Sequence, residues 1–290
     1  MRACEPFPGT LIGLIVLIGL SACAPSGQVP PQLPGLSPSA ASSETPRVPT
    51  PSAVRSDLAS PEKKETAMEL VSSAENSSLE WKAQYGYLED IGDGRGYTGG
   101  IIGFCSGTGD MLELVSAYAA TRPDSPLAGF IPALGQVNGT ASHRGLGAPF
   151  ARAWRTAAKD PVFQQAQDAE RDRVYFDPAV AQAKQDGLRA LGQFAYYDAM
   201  VMHGPGSDPA SFGGIRAEAL GHAEPPAKGG DEVAYLNAFL DARVAAMKAE
   251  EAHEDVSRVE DAQRVFLAAG NLDLEPPLAW KTYGDRYHIG

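Results

Sequence analysis

The chain has 290 residues, 43% apolar and 8% aromatic, enough to bury one large core or two lobes. Five of its 24 Lys and Arg and four of its 36 Asp and Glu lie in residues 1–64, so residues 65–290 hold 19 against 32, a net charge of −13. Such a surface repels nucleic acid and anionic lipid and attracts a polycation, so a nucleic-acid partner is not expected.

Residues 11–20 form an apolar run too short to span a bilayer comfortably, preceded by Arg2 and followed by small residues, as in a secretory signal. The protein is expected to be exported, to the extracellular space or the cell envelope. Leu20-Ser21-Ala22-Cys23 resembles a bacterial lipobox, in which the cysteine becomes the lipidated first residue and anchors the chain to a membrane; a chance cysteine in an ordinary signal is the alternative. Residues 24–61 contain nine prolines and many Ser, Thr and Ala, and no aromatic residue occurs between Phe7 and Trp81. That composition cannot offset chain entropy by burial, so the segment reads as a tether, with the folded domain over 62–290. With Cys4 and Cys23 removed with the leader or lipidated, Cys105 is the remaining thiol, and no internal disulfide is expected.

From residue 62 onward the pattern is mostly helical. Glu62 to Ala74 carries Ala67, Leu70, Val71 and Ala74 at helical spacing, a stripe that ends at Asn76-Ser77-Ser78. Glu75 is thereby placed at a helix C-terminus, where the dipole opposes ionisation and favours a carboxyl that keeps its proton. Gln84 to Ile91 and Tyr97 to Phe104 read as two strands of a hairpin bent at Asp93-Gly94, with Asp93 and Thr98 close enough to share one water molecule. Helices follow over 110–120, 127–134, 148–158, 161–174, 178–203 with a weak point near Gly192, 230–251 and 256–267. The sum is a mainly α (α+β) domain with one small antiparallel sheet, since neither a sandwich nor a parallel α/β sheet accommodates so many helical runs.

Rival motifs fail on context. Gly94-Arg95-Gly96-Tyr97-Thr98-Gly99 matches G-x-G-x-x-G but leads into a strand, whereas the dinucleotide fingerprint leads into a helix. A calcium loop from Asp90 puts Gly92, Gly94 and Ile101 where oxygen ligands belong, so no metal and no cofactor is implied. Cys105 paired with a histidine as nucleophile is weaker than Cys105 as a small core residue. His203 ends a helix and reads equally as a C-terminal cap and as a cleft residue. Asp in a Gly-rich turn and Glu at a helix end each have an ordinary structural explanation; their joint spacing does not. Two carboxyls on separate elements, one beside a hydroxyl, are what glycosidic hydrolysis through an oxocarbenium-like transition state needs.

The motifs Glu75-Asn76, Tyr85, Asp93-Gly94-Arg95-Gly96-Tyr97-Thr98, Ile102-Gly103 and Asp110 resemble the pattern of family-46 glycoside hydrolases, the chitosanases. The resemblance continues through residues 192–199, 202–206 and 270–274 and covers most of 65–290. It implies a lysozyme-like, two-lobed helical fold with a small sheet beside a cleft for deacetylated chitin, acting as a monomer. By position it implies Glu75 as proton donor, Asp93 as base and Thr98 as the holder of the water. It further implies Arg243, Asp198 and Arg258 as a network behind the acid, with a carboxylate intervening to cancel the arginine charge that would otherwise depress Glu75. Asp110 would meet the sugar amine, and Asn76, Tyr87, Arg95, His203 and Glu250 would line the cleft. A peptidoglycan-cleaving muramidase or lytic transglycosylase, and a polysaccharide-binding lipoprotein without turnover, are the competing readings.

Overall fold

Proline at the first position of a helix costs no hydrogen bond, and an acidic residue beside it suits the positive end of the dipole. Ser60-Pro61-Glu62 uses both features to start α1 (Pro61–Glu75), which buries the expected Ala67, Leu70, Val71 and Ala74. The structure, a computed structural model, describes residues 57–249 and 255–290; Cys23, most of the proline-rich tether and Glu250 lie outside them. The described residues belong to one compact unit. Its packing begins ahead of Glu62, because Leu58 is fully buried and its N–H donates to Gln193 Oε1.

The sheet differs in outline from the expected hairpin. Residues 81–86 wind into a 3₁₀ turn, so the first strand is only β1 (Leu88–Asp90), paired antiparallel with β2 (Tyr97–Gly99). Gly100 and Gly103, both at positive φ, then turn the chain into a short β3 (Phe104–Cys105) on the other side of β2. Thr98 consequently lies in the middle strand, opposite Glu89 on one side and Cys105 on the other.

Helices occupy most of the rest. α2 (Asp110–Thr121), α3 (Ile131–Val137), α4 (Gly147–Ala157) and α5 (Pro161–Arg171) pack around the sheet through Phe150, Trp154, Phe163 and Tyr118, whose rings meet at tilted or edge-on angles. Asp160 caps α5 by accepting from the Val162 N–H, and a π turn (Asp172–Phe176) joins α5 to α6 (Asp177–Gln185). The weak point expected near Gly192 falls earlier. The chain breaks at Gly187, where φ is +79°, and Gly192 sits within α7 (Ala190–His203), where a Cβ would come within 2.8 Å of Leu188 Cβ, so close packing selects glycine there. All of α7 is buried, the signature of a helix enclosed on every side.

Two elements went unread in the sequence. α8 (Phe212–His222) opens on Phe212-Gly213-Gly214, a poor helical start by propensity; a Cβ at Gly214 would lie 2.0 Å from the Asp208 carbonyl oxygen, so close approach selects glycine. After α9 (Glu232–Lys248), a π turn (Val259–Gln263) and α10 (Arg264–Ala268), the chain ends in a second hairpin of β4 (Leu278–Thr282) and β5 (Asp285–Ile289). Its two-residue turn, Tyr283-Gly284, has positive φ at both positions. The architecture is mainly helical with small antiparallel sheets.

Candidate active site

Glu75 is the last residue of α1, and its side chain is 8% exposed. Arg258 Nη1 donates to Glu75 Oε1 at 2.8 Å, and Arg258 Nη2 reaches Asp198 Oδ1 at 2.6 Å. Asp198, on α7, also accepts from Arg243 Nη1 at 2.7 Å and from Gln263 Nε2 at 2.7 Å. Charges alternate along this buried chain: Glu75, Arg258, Asp198, Arg243. Desolvating four charges is costly, and the alternation is what makes it tolerable, because each ion has an opposite neighbour. Burial pushes the Asp198 carboxyl up, but Arg258 and then Arg243 outweigh it and hold the group at about 2.

The order of the chain corrects one expectation. No carboxylate stands between Glu75 and an arginine; Arg258 touches Glu75 directly, and Asp198 draws on its far side. Neutralisation of Arg258 therefore comes from behind. Gln263 was not foreseen, and the reason is geometric. Arg258 and Gln263 are five positions apart, on different faces of an α-helix, and the π turn between them, with i→i+5 bonding, brings both to Asp198.

His203 ends α7 and is 3% exposed, with its Nε2 accepting from Arg243 Nε at 3.5 Å. Its ring therefore lies in the buried network behind Glu75. Asn76 follows the acid and turns its amide back to Ser72 Oγ at 3.2 Å. The C-terminal hairpin braces the same corner: Trp280 Nε1 donates to Ser73 Oγ at 3.0 Å, and the Tyr283 N–H to Ser257 Oγ at 2.8 Å. The Tyr283 phenol, raised first by burial, also feels Arg258 and Glu75, so this residue belongs to the acid's surroundings. Nothing local in the sequence signalled it.

Asp93 has a different setting, on the open turn between β1 and β2. Its Oδ1 accepts from the Arg95 backbone N–H at 3.0 Å, and its Oδ2 from Arg95 Nε at 2.9 Å and Nη2 at 2.6 Å. The side chains of Asp93 and Arg95 are 24% and 20% exposed. Partial burial raises the Asp93 carboxyl, yet the hydrogen bonds and charge of Arg95 win and leave it below the usual range. Asp93 is thus held as an anion.

Thr98 is 1% exposed, and its Oγ1 lies 3.6 Å from Cys105 Sγ. Asp110, the first residue of α2, accepts from the Cys105 N–H at 3.1 Å and from Thr108 Oγ1 at 2.5 Å. Tyr87 donates to Glu89 Oε2 at 3.2 Å at the rim of the sheet, whereas Tyr85 is buried and donates to Asp168, a structural role. The structure thus joins Glu75, Arg258, Asp198, Arg243 and His203 in one network, Asp93 with Arg95 in a second, and Thr98 with Asp110 through Cys105 in a third.

Comparison with known proteins identifies the family. Residues 69–278 match the model of glycosyl hydrolase family 46. A chitosanase of Streptomyces sp. (strain N174) is 74% identical over 232 residues, 80% of this chain and 84% of that protein. Among solved structures, a chitosanase complex is 66% identical with a TM-score of 0.78, over 81% of this chain and 100% of the other. A family-46 chitosanase of Gynuella sunshinyii, solved as a complex with chitotetraose, is 34% identical with a TM-score of 0.72, over 80% of this chain and 98% of the other. The chain is a glycoside hydrolase and belongs to family 46.

Proposed function

We propose that the protein is an endo-chitosanase that cleaves β-1,4 links between glucosamine residues by a single displacement with inversion. One observation carries the proposal: two carboxyls stand in contrasting settings, Glu75 at 8% exposure on a buried ion chain and Asp93 at 24% on an open turn. Contrasting environments are how one site supplies both an acid and a base. The relatives, themselves chitosanases, support the substrate.

Glu75 Oε1 accepts from Arg258, so in the protonated acid the proton sits on Oε2, from which it passes to the glycosidic oxygen as the bond to the anomeric carbon breaks. Asp93, kept anionic by Arg95, takes a proton from the water that attacks the opposite face of that carbon. Its carboxylate has four acceptor positions, so the bonds to Arg95 leave room for the water. Thr98 holds that water. Asp110 faces the ammonium of glucosamine, a charge-assisted pairing that an acetylated sugar cannot make. Asn76, Tyr87, Arg95 and Glu250 complete the substrate-binding set, whereas His203, expected to line the cleft, is buried against Arg243 and supports the network behind the acid. Export by the 11–20 segment and anchoring at Cys23 belong to the same proposal; replacing Cys23 with serine should release an active enzyme from the membrane fraction.

Release of reducing ends from chitosan, chitin and peptidoglycan, measured side by side, tests the proposal. Chitosan should be the preferred substrate, and Glu75→Gln and Asp93→Asn should each lose at least about a hundredfold in kcat. Activity confined to peptidoglycan would identify a muramidase instead.

A further inference from the structure

A water molecule activated by a base in a displacement has two protons and one lone pair committed: one proton goes to the base, the lone pair to the electrophilic carbon, and the second proton needs an acceptor. A hydroxyl that accepts from that second proton holds the water and supports its attack. A hydroxyl that donated instead would draw on one of the water's two lone pairs, making it a poorer nucleophile, and would leave the second proton without this acceptor. The accepting hydroxyl's own proton has to be committed elsewhere.

The sheet provides that commitment. Thr98 and Cys105 are cross-strand partners on β2 and β3, with Thr98 Oγ1 at 3.6 Å from Cys105 Sγ. Cys105 Sγ donates to the Gly103 carbonyl at 3.1 Å. A thiol has a single proton, so with that proton on Gly103 the contact with Thr98 runs from hydroxyl to sulfur. The Thr98 hydroxyl proton is then spent on sulfur, and its oxygen is left to accept. Cys105 is fully buried, and its backbone N–H holds Asp110, so one residue ties the water-holding hydroxyl to the carboxylate assigned to the sugar amine.

We propose that Cys105 is a positioning residue for hydrolysis, which fixes Thr98 as a hydrogen-bond acceptor toward the nucleophilic water. The proposal rests on the roles given above to Asp93 and Thr98. A sulfur that merely fills the core would affect melting temperature and leave turnover of the folded enzyme alone; a positioning sulfur affects kcat.

The test is a double-mutant cycle on chitosan hydrolysis, with folding of each variant checked by circular dichroism. Cys105→Ala should lower kcat about tenfold, the scale of one lost hydrogen bond in a polar network, with KM within about twofold of the parent. Cys105→Ser, which restores an acceptor and a donor, should recover most of the loss. In a Thr98→Ala background the Cys105→Ala change should cost nothing further. Should the alanine variant not fold, Cys105→Val removes the sulfur while filling its space and enters the same cycle. Unchanged kcat in the folded sulfur-free variant, or a loss that persists undiminished without the Thr98 hydroxyl, would overturn the proposal. Wild-type kcat in Thr98→Ala alone would instead remove Thr98 from the water site and take this inference with it.

Discussion

The surroundings of Glu75 and Asp93 solve opposite problems with the same residue type. Both carboxyls are gripped by an arginine, Arg258 at 2.8 Å from Glu75 and Arg95 at 2.6 Å from Asp93. Arg258 is 4% exposed, and its second carboxylate contact is Asp198, itself bound to Arg243. Arg95 comes from the same Gly-rich turn as its partner and is 20% exposed. The acid is thus positioned by long-range packing among α1, α7, α9 and the 258–263 segment, whereas the base is positioned by two residues of local sequence. What is built from distant elements is rigid and sensitive to damage, and what is built locally is adjustable and cheap to alter.

Truncating the two arginines should separate these cases most strongly. Arg258→Ala takes the arginine from buried Glu75 and leaves Asp198 with Arg243 and Gln263, and it should destabilise the fold by about 3–5 kcal/mol, whereas Arg95→Ala should cost about 1 kcal/mol or less. Urea denaturation measures both, and equal losses would break the contrast. A smaller effect sharpens it from the acid side. Because the Asp198 carboxyl is held at about 2 against an ordinary 3.8, its stabilisation is fully present above about pH 4 and is lost as pH falls through about 2. That contribution is about 2 kcal/mol. A carbon-detected NMR titration should find Asp198 ionised at pH 3, and a midpoint near 4 would show that the two arginines do not hold it.

On the base side the same sign governs catalysis. Arg95 lowers the Asp93 carboxyl, so the base stays ionised to lower pH. In Arg95→Ala the acidic limb of the kcat/KM profile should move upward, and an unmoved limb would detach Arg95 from control of Asp93. The smallest effect concerns the surface. If the net −13 of residues 65–290 draws in a polycation, kcat/KM on chitosan should fall with added salt more than kcat does, since exposed charges are screened beyond roughly 8 to 10 Å.

The contrast also explains what was legible in the sequence. α1 could be read because Ala67, Leu70, Val71 and Ala74 repeat at helical spacing, and the Asp93 turn because three glycines at positive φ, Gly92, Gly94 and Gly96, bracket it. Local chemistry leaves a local mark. The break lies at Gly187 and not at Gly192, although both are glycines in a helical context; their backbones and packing tell them apart, Gly187 at φ +79° beside Pro226 and Ala227 and Gly192 inside α7 against Leu188. The C-terminal hairpin was missed because its burial alternates over only five residues of β4. Gln263 and Tyr283 left no signal at all, since each reaches the acid's network through a backbone turn: a π turn for Gln263, and a positive-φ hairpin turn for Tyr283. The direct contact of Arg258 with Glu75 likewise depends on which residue of the trio packs nearest α1, a matter of tertiary arrangement.

The central claim is that Glu75 and Asp93 act together in one displacement, with water entering opposite the leaving sugar. Proton NMR of the first products of chitosan cleavage, recorded before mutarotation, reads this directly. The account predicts that the newly formed reducing ends appear first as the α-anomer. An initial β-anomer would mean a covalent intermediate and retention, and would contradict the assignment of Asp93 as base.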